Sequence, residues 1–519
     1  MTIQSKAFRL VFVVFGVAMQ MACGRGVAAA PQPHAQLSPA SSLGPTDSHE
    51  KQLKDLPKPD LGVLAETQGG TQVLPLPSPQ AAETLKRYGA VVELSPRLDQ
   101  AVDQWPQAKA LSVDGESGLT FTNALLDAIE TRLAVYGARQ FSPTTMLSGQ
   151  STFVLGGNYF NGSALNLVDS SRRDYGATTF NYDLKLMLDT SFSGRDLLHI
   201  RLRAGNFDSS RNSFGGAGPS ALSQLEVAFQ EASGADRLSV NRLYYQFPVG
   251  DFMFTIGPRV EQGNMLAVWP SLYPSESVLD LMTFAGAIGA NNLSLGVGAG
   301  VWWKKNGFSV SASYVATNGQ LSESGEGGIG TSDSGSTSTI QIGYSTEQWA
   351  ISAIYSSVQN GQGLIPYATN FTLDSFRNSG NTSAFGLSGY WQPVQSGWVP
   401  SISLGWGMNT TSYAAGVNDY GLVATSLSWS LGLQWQDAFV TGNTFGMAVG
   451  QATFATSLYG ADSPRDGNYV WEWWYKIQLT DNIAVTPALF YLYRPLGADT
   501  PSGESFNQLG ALVKVALSF

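Results

Sequence analysis

YDLKLMLDTSFSGRDLLHIRLRA, residues 182–204, decides the fold. Tyr182, Leu184, Leu186, Leu188 and, at the turn, Phe192 alternate with Asp183, Lys185, Met187 and Asp189. Past Ser193-Gly194-Arg195, Leu198, Ile200, Leu202 and Ala204 alternate with His199, Arg201 and Arg203. A period of two sends successive side chains to opposite faces of an extended chain, so this stretch is a hairpin with one apolar and one charged face.

Working outward, the same alternation recurs. Leu295, Val297, Ala299 and Val301 alternate with Gly296, Gly298 and Gly300, and Asn306-Gly307 forms a tight turn into Phe308, Val310, Ala312 and Tyr314. Leu427, Trp429, Leu431, Leu433 and Trp435 lead through Gly442-Asn443 to Phe445, Met447 and Val449. Strands placed this way run from 145–157 to 507–519 and number sixteen. Short turns near Gly194, Val249, Asn306, Glu347, Ser396, Val440 and Asp481 alternate with eight long connections. An even count with that alternation predicts an all-β fold, a 16-stranded antiparallel transmembrane β-barrel. The chain end fits: Ala511, Val513, Val515, Leu517 and Phe519 form an outward apolar row. Trp471, Trp473, Trp474 and Tyr475, with Tyr491 and Tyr493, read as an aromatic girdle at the headgroups.

Composition agrees. The 519 residues include 57 Gly, 13 Trp, 20 Tyr and 26 Phe, and only 13% are charged, about half of what soluble domains carry. A net charge of −10 argues against a nucleic-acid partner, because neutralising phosphates needs a basic surface. One cysteine leaves neither a disulfide framework nor a thiolate metal site.

Lys6 and Arg9 followed by the apolar run Leu10–Ala22 and the small residues at 27–30 predict a signal peptide over 1–29. Cys23 offers a second reading as a lipidated N-terminus, with Gln20 a poor match to the expected motif. Residues 30–80 are a Pro/Ser-rich linker, and 81–140 a small helical periplasmic segment with Leu125, Ile129 and Leu133 on one face. The barrel would then occupy 141–519.

Phe141-Ser142-Pro143-Thr144-Thr145-Met146-Leu147-Ser148-Gly149, Leu188–Leu198 with Arg201–Asn206, and Asn241–Gly250 with Thr255–Arg259 resemble the opening strands of cyanobacterial outer-membrane porins, often called iron uptake porins. Thr480–Leu489 is similar to a late hairpin of the wider carbohydrate-selective porin group. The resemblance implies a homotrimer in outer-membrane lipid and passage of small solutes and ions, iron among them. It also implies an S-layer-homology domain for peptidoglycan contact, but residues 80–140 lack that domain's motif pattern, with Trp105 and 115–122 at best remnants.

Lumen-facing parity selects Asp183, Lys185, Asp189, His199, Arg201, Arg203 and Arg242 as pore-lining candidates, with Arg259, Glu261 and Asp280 at or in the third external loop. That connection, 260–291, carries apolar stretches at 265–268 and 278–288, which leads us to expect that it folds into the lumen; packing on a neighbouring subunit or over the mouth is the alternative. Trp269 and Tyr273 are candidates for an aromatic slide, should the solute be a sugar. The paired signs on strands two and three fit a brace for the wall as well as a charge filter. His34, His49 and His199 are the only histidines, and two lie in the linker, so no catalytic triad or metal cluster can be argued and neither a cofactor nor an enzyme is expected. The reading is a passive porin, with a sugar-selective pore or a structural barrel with a plugged lumen as alternatives.

Overall fold

The computed structural model describes residues 144–273, 277–360 and 365–519. The expected signal peptide, linker and helical segment lie outside them. Sixteen strands form one closed antiparallel barrel, each paired with its chain neighbours and β1 with β16. They are β1 (Thr145–Asn161), β2 (Thr179–Thr190), β3 (Leu197–Gly205), β4 (Ser239–Val249), β5 (Phe252–Glu261), β6 (Leu295–Lys305), β7 (Phe308–Ala316) and β8 (Ser336–Ser345). β9 (Trp349–Gln359), β10 (Gly380–Trp391), β11 (Ser401–Tyr413), β12 (Val423–Gln436), β13 (Thr444–Leu458), β14 (Tyr469–Thr480), β15 (Ile483–Tyr493) and β16 (Asn507–Ser518) complete it. Closure removes the free sheet edges that hydrocarbon could not hydrogen-bond. The seam runs from Gln150↔Ser518 to Asn161↔Asn507 and is finished by reciprocal backbone bonds between Gly149 and Phe519.

Alternation sorts the residues as the hairpin at 182–204 predicts. Phe180, Ile256, Val310, Ile340, Ile342 and Leu404 face outward and are exposed in the isolated chain, whereas Asn181, Asp183, Ser311 and Ser403 face in and are buried. Outward rings cluster at the short-turn end: Tyr245–Phe247, Phe247–Phe254, Phe308–Tyr344, Tyr344–Trp349 and Trp435–Phe445 have centroids 4.7–5.9 Å apart. Tyr469, Trp471, Tyr491 and Tyr493 form a second patch near the long-loop end. The two belts match the two interfaces of a bilayer. One member of the expected girdle is corrected: Trp474 faces inward and is buried, because Glu472 and Trp474 share the lumen parity.

Turn chemistry fixes the register. At Asn306-Gly307 both residues have positive φ (51° and 84°), the backbone of a two-residue hairpin loop that matches strand twist. β13 runs to Leu458, well past the alternating Phe445, Met447 and Val449, because register shifts between β12 and β13 break the alternation in its last residues.

The long connections carry two helices, α1 (Leu165–Tyr175) after β1 and α2 (Asn370–Phe376) after β9. α1 is held by Arg172, whose guanidinium donates to the Phe160 carbonyl from Nε (3.2 Å) and from a terminal nitrogen (3.0 Å). α2 is capped by Thr369, whose hydroxyl accepts from the Thr372 amide.

Candidate functional site

The third external loop, between β5 and β6, enters the barrel. Its backbone lies along the inner wall and is hydrogen-bonded by that wall's side chains. Ala267 N donates to Ser311 Oγ (2.8 Å), and Leu272 N and Tyr273 N both donate to Ser403 Oγ (2.9 and 3.0 Å). Ser388 and Ser428 hydroxyls donate to the carbonyls of Ala285 (2.7 Å) and Gly286 (3.0 Å), and Ser356 to that of Ala290 (2.7 Å). Gln262 returns the contact from the loop, its Nε2 donating to Thr339 Oγ1 at 2.7 Å. Amides and carbonyls buried away from water need such partners, and a wall of hydroxyls supplies them.

The same wall explains much of the glycine. A Cβ on Gly405 would lie 1.7 Å from the Ala285 carbonyl oxygen, one on Gly286 2.3 Å from the Gly405 carbonyl oxygen, and one on Gly300 2.8 Å from Met265. Loop and wall therefore approach backbone to backbone, which only glycine allows. Gly296, Gly298 and Gly300 are lumen-facing small residues, as their strand parity predicts.

Glu472 on β14 fixes the far end of the loop. Fully buried, it accepts from the Tyr273 hydroxyl (2.6 Å) and from the amides of Leu279 (2.7 Å) and Val278 (3.4 Å), while Trp474 Nε1 donates to the Tyr273 hydroxyl (2.8 Å). Lys514 Nζ donates to the Ser277 carbonyl (3.2 Å). Sequence reading passed over Glu472. Its signal was a single carboxylate inside an aromatic run at lumen parity.

Two further loops join the third. Leu225 of the β3–β4 connection bridges Leu279, and Asp280 N donates to the Gln224 carbonyl (3.1 Å). Phe214, Leu222, Leu225, Leu279, Met282, Tyr367 and Phe376 form one apolar cluster with the inward Val470, Trp474, Phe490 and Leu492. The outer part of the barrel is thus filled by loops, and its wall there is apolar where an open lumen would be polar.

Across the lumen, β2 to β5 carry the candidate charges. Arg203 forms two bonds with Asp183 (Nε–Oδ1 2.6 Å), whose carboxyl is only 1% exposed, and Lys185 lies 3.5 Å from Asp183 and 3.7 Å from Glu226. His199 Nδ1 is 2.6 Å from Asp189, Arg242 pairs with Glu261, and Arg259 Nε donates to the Asn241 carbonyl (3.2 Å). Arg201 faces inward opposite Arg242. Lys185 and Glu226 border a cavity of about 190 Å³ with Gln150, Thr152, Lys476 and Lys514.

Three expectations change here. Asp280 does not face this wall: its carboxylate accepts from the Tyr367 and Thr283 hydroxyls within the loop cluster, and burial there raises its pKa to about 7, against the opposing effect of the Tyr367 bond. Tyr273 offers no ring to a solute, since it is buried against Gly432 with its hydroxyl committed to Glu472. Trp269 is half-buried. Asp183 is likewise sealed beneath Arg203 rather than exposed to the lumen. Among the described residues no group of His, Cys, Asp and Glu is arranged to hold a metal.

The chain is 26% identical over 473 residues to an uncharacterised protein of Synechocystis, covering 84% of this chain and 81% of that one. An uncharacterised protein of Nostoc is also 26% identical, over 412 residues, 71% of this chain and 65% of the relative, so just under two thirds of the latter's length is matched. Among solved structures, OprB of Pseudomonas putida aligns over 72% of this chain and 94% of its own, with 15% identity and a TM-score of 0.48. The anion-selective porin of Comamonas acidovorans aligns over 72% and 99%, with 14% identity and a TM-score of 0.44. The sequence profile described as "Carbohydrate-selective porin, OprB family" matches residues 122–507, about three quarters of the chain. With a closed sixteen-stranded barrel and its third loop turned inward, the chain belongs to the carbohydrate-selective porin, OprB family: it is an outer-membrane channel for the diffusion of solutes.

Proposed function

We propose that the protein passes small hydrophilic solutes and inorganic ions by passive diffusion, through the space left between the third loop and the charged wall of β2–β5. The observation that carries this is the loop's seat inside the barrel: its backbone is bonded to Ser311, Ser403 and Ser428 rather than to solvent. A loop so placed narrows the lumen without any moving part, and transport then needs only a gradient. Iron salts fall within this class by size, and their passage requires no ligand set in the wall. Sugar passage is the second reading, and the family supports it; the burial of Tyr273 leaves Trp269 as the remaining candidate for a slide. Assembly as a homotrimer, a periplasmic N-terminal segment and cleavage near Ala29 remain parts of the proposal, supported by the resemblance and the N-terminal composition.

Planar-bilayer recording and liposome swelling test it. Stepwise ion current is expected, with swelling rates falling steeply as solutes pass monosaccharide size, and deletion of residues 262–282 should raise the conductance and admit larger sugars. A wild-type barrel without current would turn the reading to a plugged structural protein. Unchanged conductance after the deletion would remove the third loop from the constriction.

A further inference from the structure

On β2 to β4 every lumen-facing charge but one has an ion-pair partner; Arg259 on β5, exposed, has none either and donates to the Asn241 carbonyl. Asp183 serves Arg203 and Lys185, Glu226 serves Lys185, Glu261 serves Arg242, and Asp189 serves His199. Arg201 has neither an ion pair nor a hydrogen bond among the described residues, and its Nε is buried without an acceptor. It stands directly across the strand pair from Arg242, whose own Nε is also buried and unpartnered. Like charges directly opposite in a sheet repel, and a guanidinium without a counter-charge in a partly dry wall is costly. Both costs fall if an anion occupies the lumen face of Arg201.

We infer that Arg201 is a binding point for small oxyanions in transit, of the phosphate or carboxylate class, and that it gives the pore a preference for anions. Guanidinium suits this chemistry, because its planar fork donates two parallel hydrogen bonds to one oxyanion, and the Arg242 charge opposite adds to the attraction. Its paired neighbours cannot serve equally, since Arg203 and Arg242 are already held by carboxylates. The inference rests on the pore reading above and names the solute class at the same wall.

Three proteins test it: the wild type, Arg201→Gln and Arg201→Lys, each confirmed as a folded barrel by its heat-modifiable mobility. Reversal potentials in a potassium chloride gradient give the anion-to-cation permeability ratio, and added inorganic phosphate probes the site. The wild type should prefer chloride, lose chloride current as phosphate is added, and unfold at a higher temperature in phosphate. In Arg201→Gln the permeability ratio should fall about five-fold, the effect of losing one nearby charge across water, and both phosphate effects should vanish. Arg201→Lys should keep the anion preference and lose most of the phosphate effect, because an ammonium cannot bind bidentately. Arg201→Gln should also unfold no more readily than the wild type in phosphate-free buffer, since the Arg201–Arg242 repulsion goes with it. A conducting wild type that prefers cations, or an Arg201→Gln pore with unchanged ratio and phosphate response, would overturn the inference while leaving the pore intact. A wild type without any current would overturn both.

Discussion

The two sides of the lumen solve the same problem with different chemistry. On β7 to β12 the inward residues are mostly Ser, Thr, Gly and Ala, with a few uncharged larger ones such as Gln341, Ile354 and Asn409, and they carry no charge; on β2 to β5 they include Asp, Lys, His and Arg, most of them in pairs. The first side is covered by the third loop, so its polar groups must satisfy a backbone and stay short enough to let it approach. The second faces the remaining passage, where water and solutes can reach long charged side chains. Loop placement therefore dictates where charge can stand. A barrel with half the usual charge and much glycine is what this division requires.

Removing a charge from the exposed side should cost the most. Asp183 is buried and bidentate with Arg203, and deleting it strands a guanidinium that is itself largely covered. Asp183→Ala is expected to destabilise the barrel by about 3–5 kcal/mol, the range for breaking a buried ion pair by removing one partner. Heat-modifiable mobility would register this as a lower unfolding temperature, with the third loop still resistant to protease. A wild-type unfolding temperature would mean that the pair contributes nothing and the charged wall is not braced.

Where β14 meets the third loop, the largest effect should come from Glu472. Glu472→Ala leaves the Tyr273 hydroxyl and the Leu279 amide without their acceptor, at about 1–3 kcal/mol per stranded donor. These bonds join the loop to the wall rather than strand to strand, so the expected outcome is a looser loop in a barrel that still unfolds near the wild-type temperature. Single-channel conductance should rise and become noisier. The comparison breaks if Glu472→Ala unfolds the barrel as readily as Asp183→Ala does.

The sequence made the barrel legible and the loop only partly so. Alternation in 182–204 and the short turns placed all sixteen strands, because lipid outside demands an apolar row whatever lies within. The inner face obeys no such rule. Phe490 and Leu492 point inward and are apolar, since loops rather than water cover them, and nothing in a strand's own pattern reveals what a loop 200 residues away will do. For this reason strand pattern alone puts Trp474 in the girdle and Asp280 and Tyr273 toward the lumen, whereas all three pack among the loops. The charged pairs were readable from parity, but which carboxylate serves which cation was not. That choice depends on the register between strands: Asp189 stands opposite His199, whereas Asp183, opposite Gly205, reaches diagonally to Arg203.

The smallest effect separates a seat from mere small size. Ser309 and Ser311 lie two residues apart on the same face of β7, both 1% exposed. Ser311 Oγ accepts from Ala267 N of the loop, whereas the Ser309 hydroxyl donates to the Gly343 carbonyl on β8. If hydroxyls hold the loop, Ser311→Ala should weaken its seat by about 0.5–1.5 kcal/mol, one ordinary hydrogen bond, and raise channel noise slightly. Ser309→Ala should leave the current unchanged, because the bond it loses joins two strands. Equal traces from the two variants would mean that the row needs only to be narrow. The loop would then be held by its ends, at Gln262 and Glu472, and not along its length.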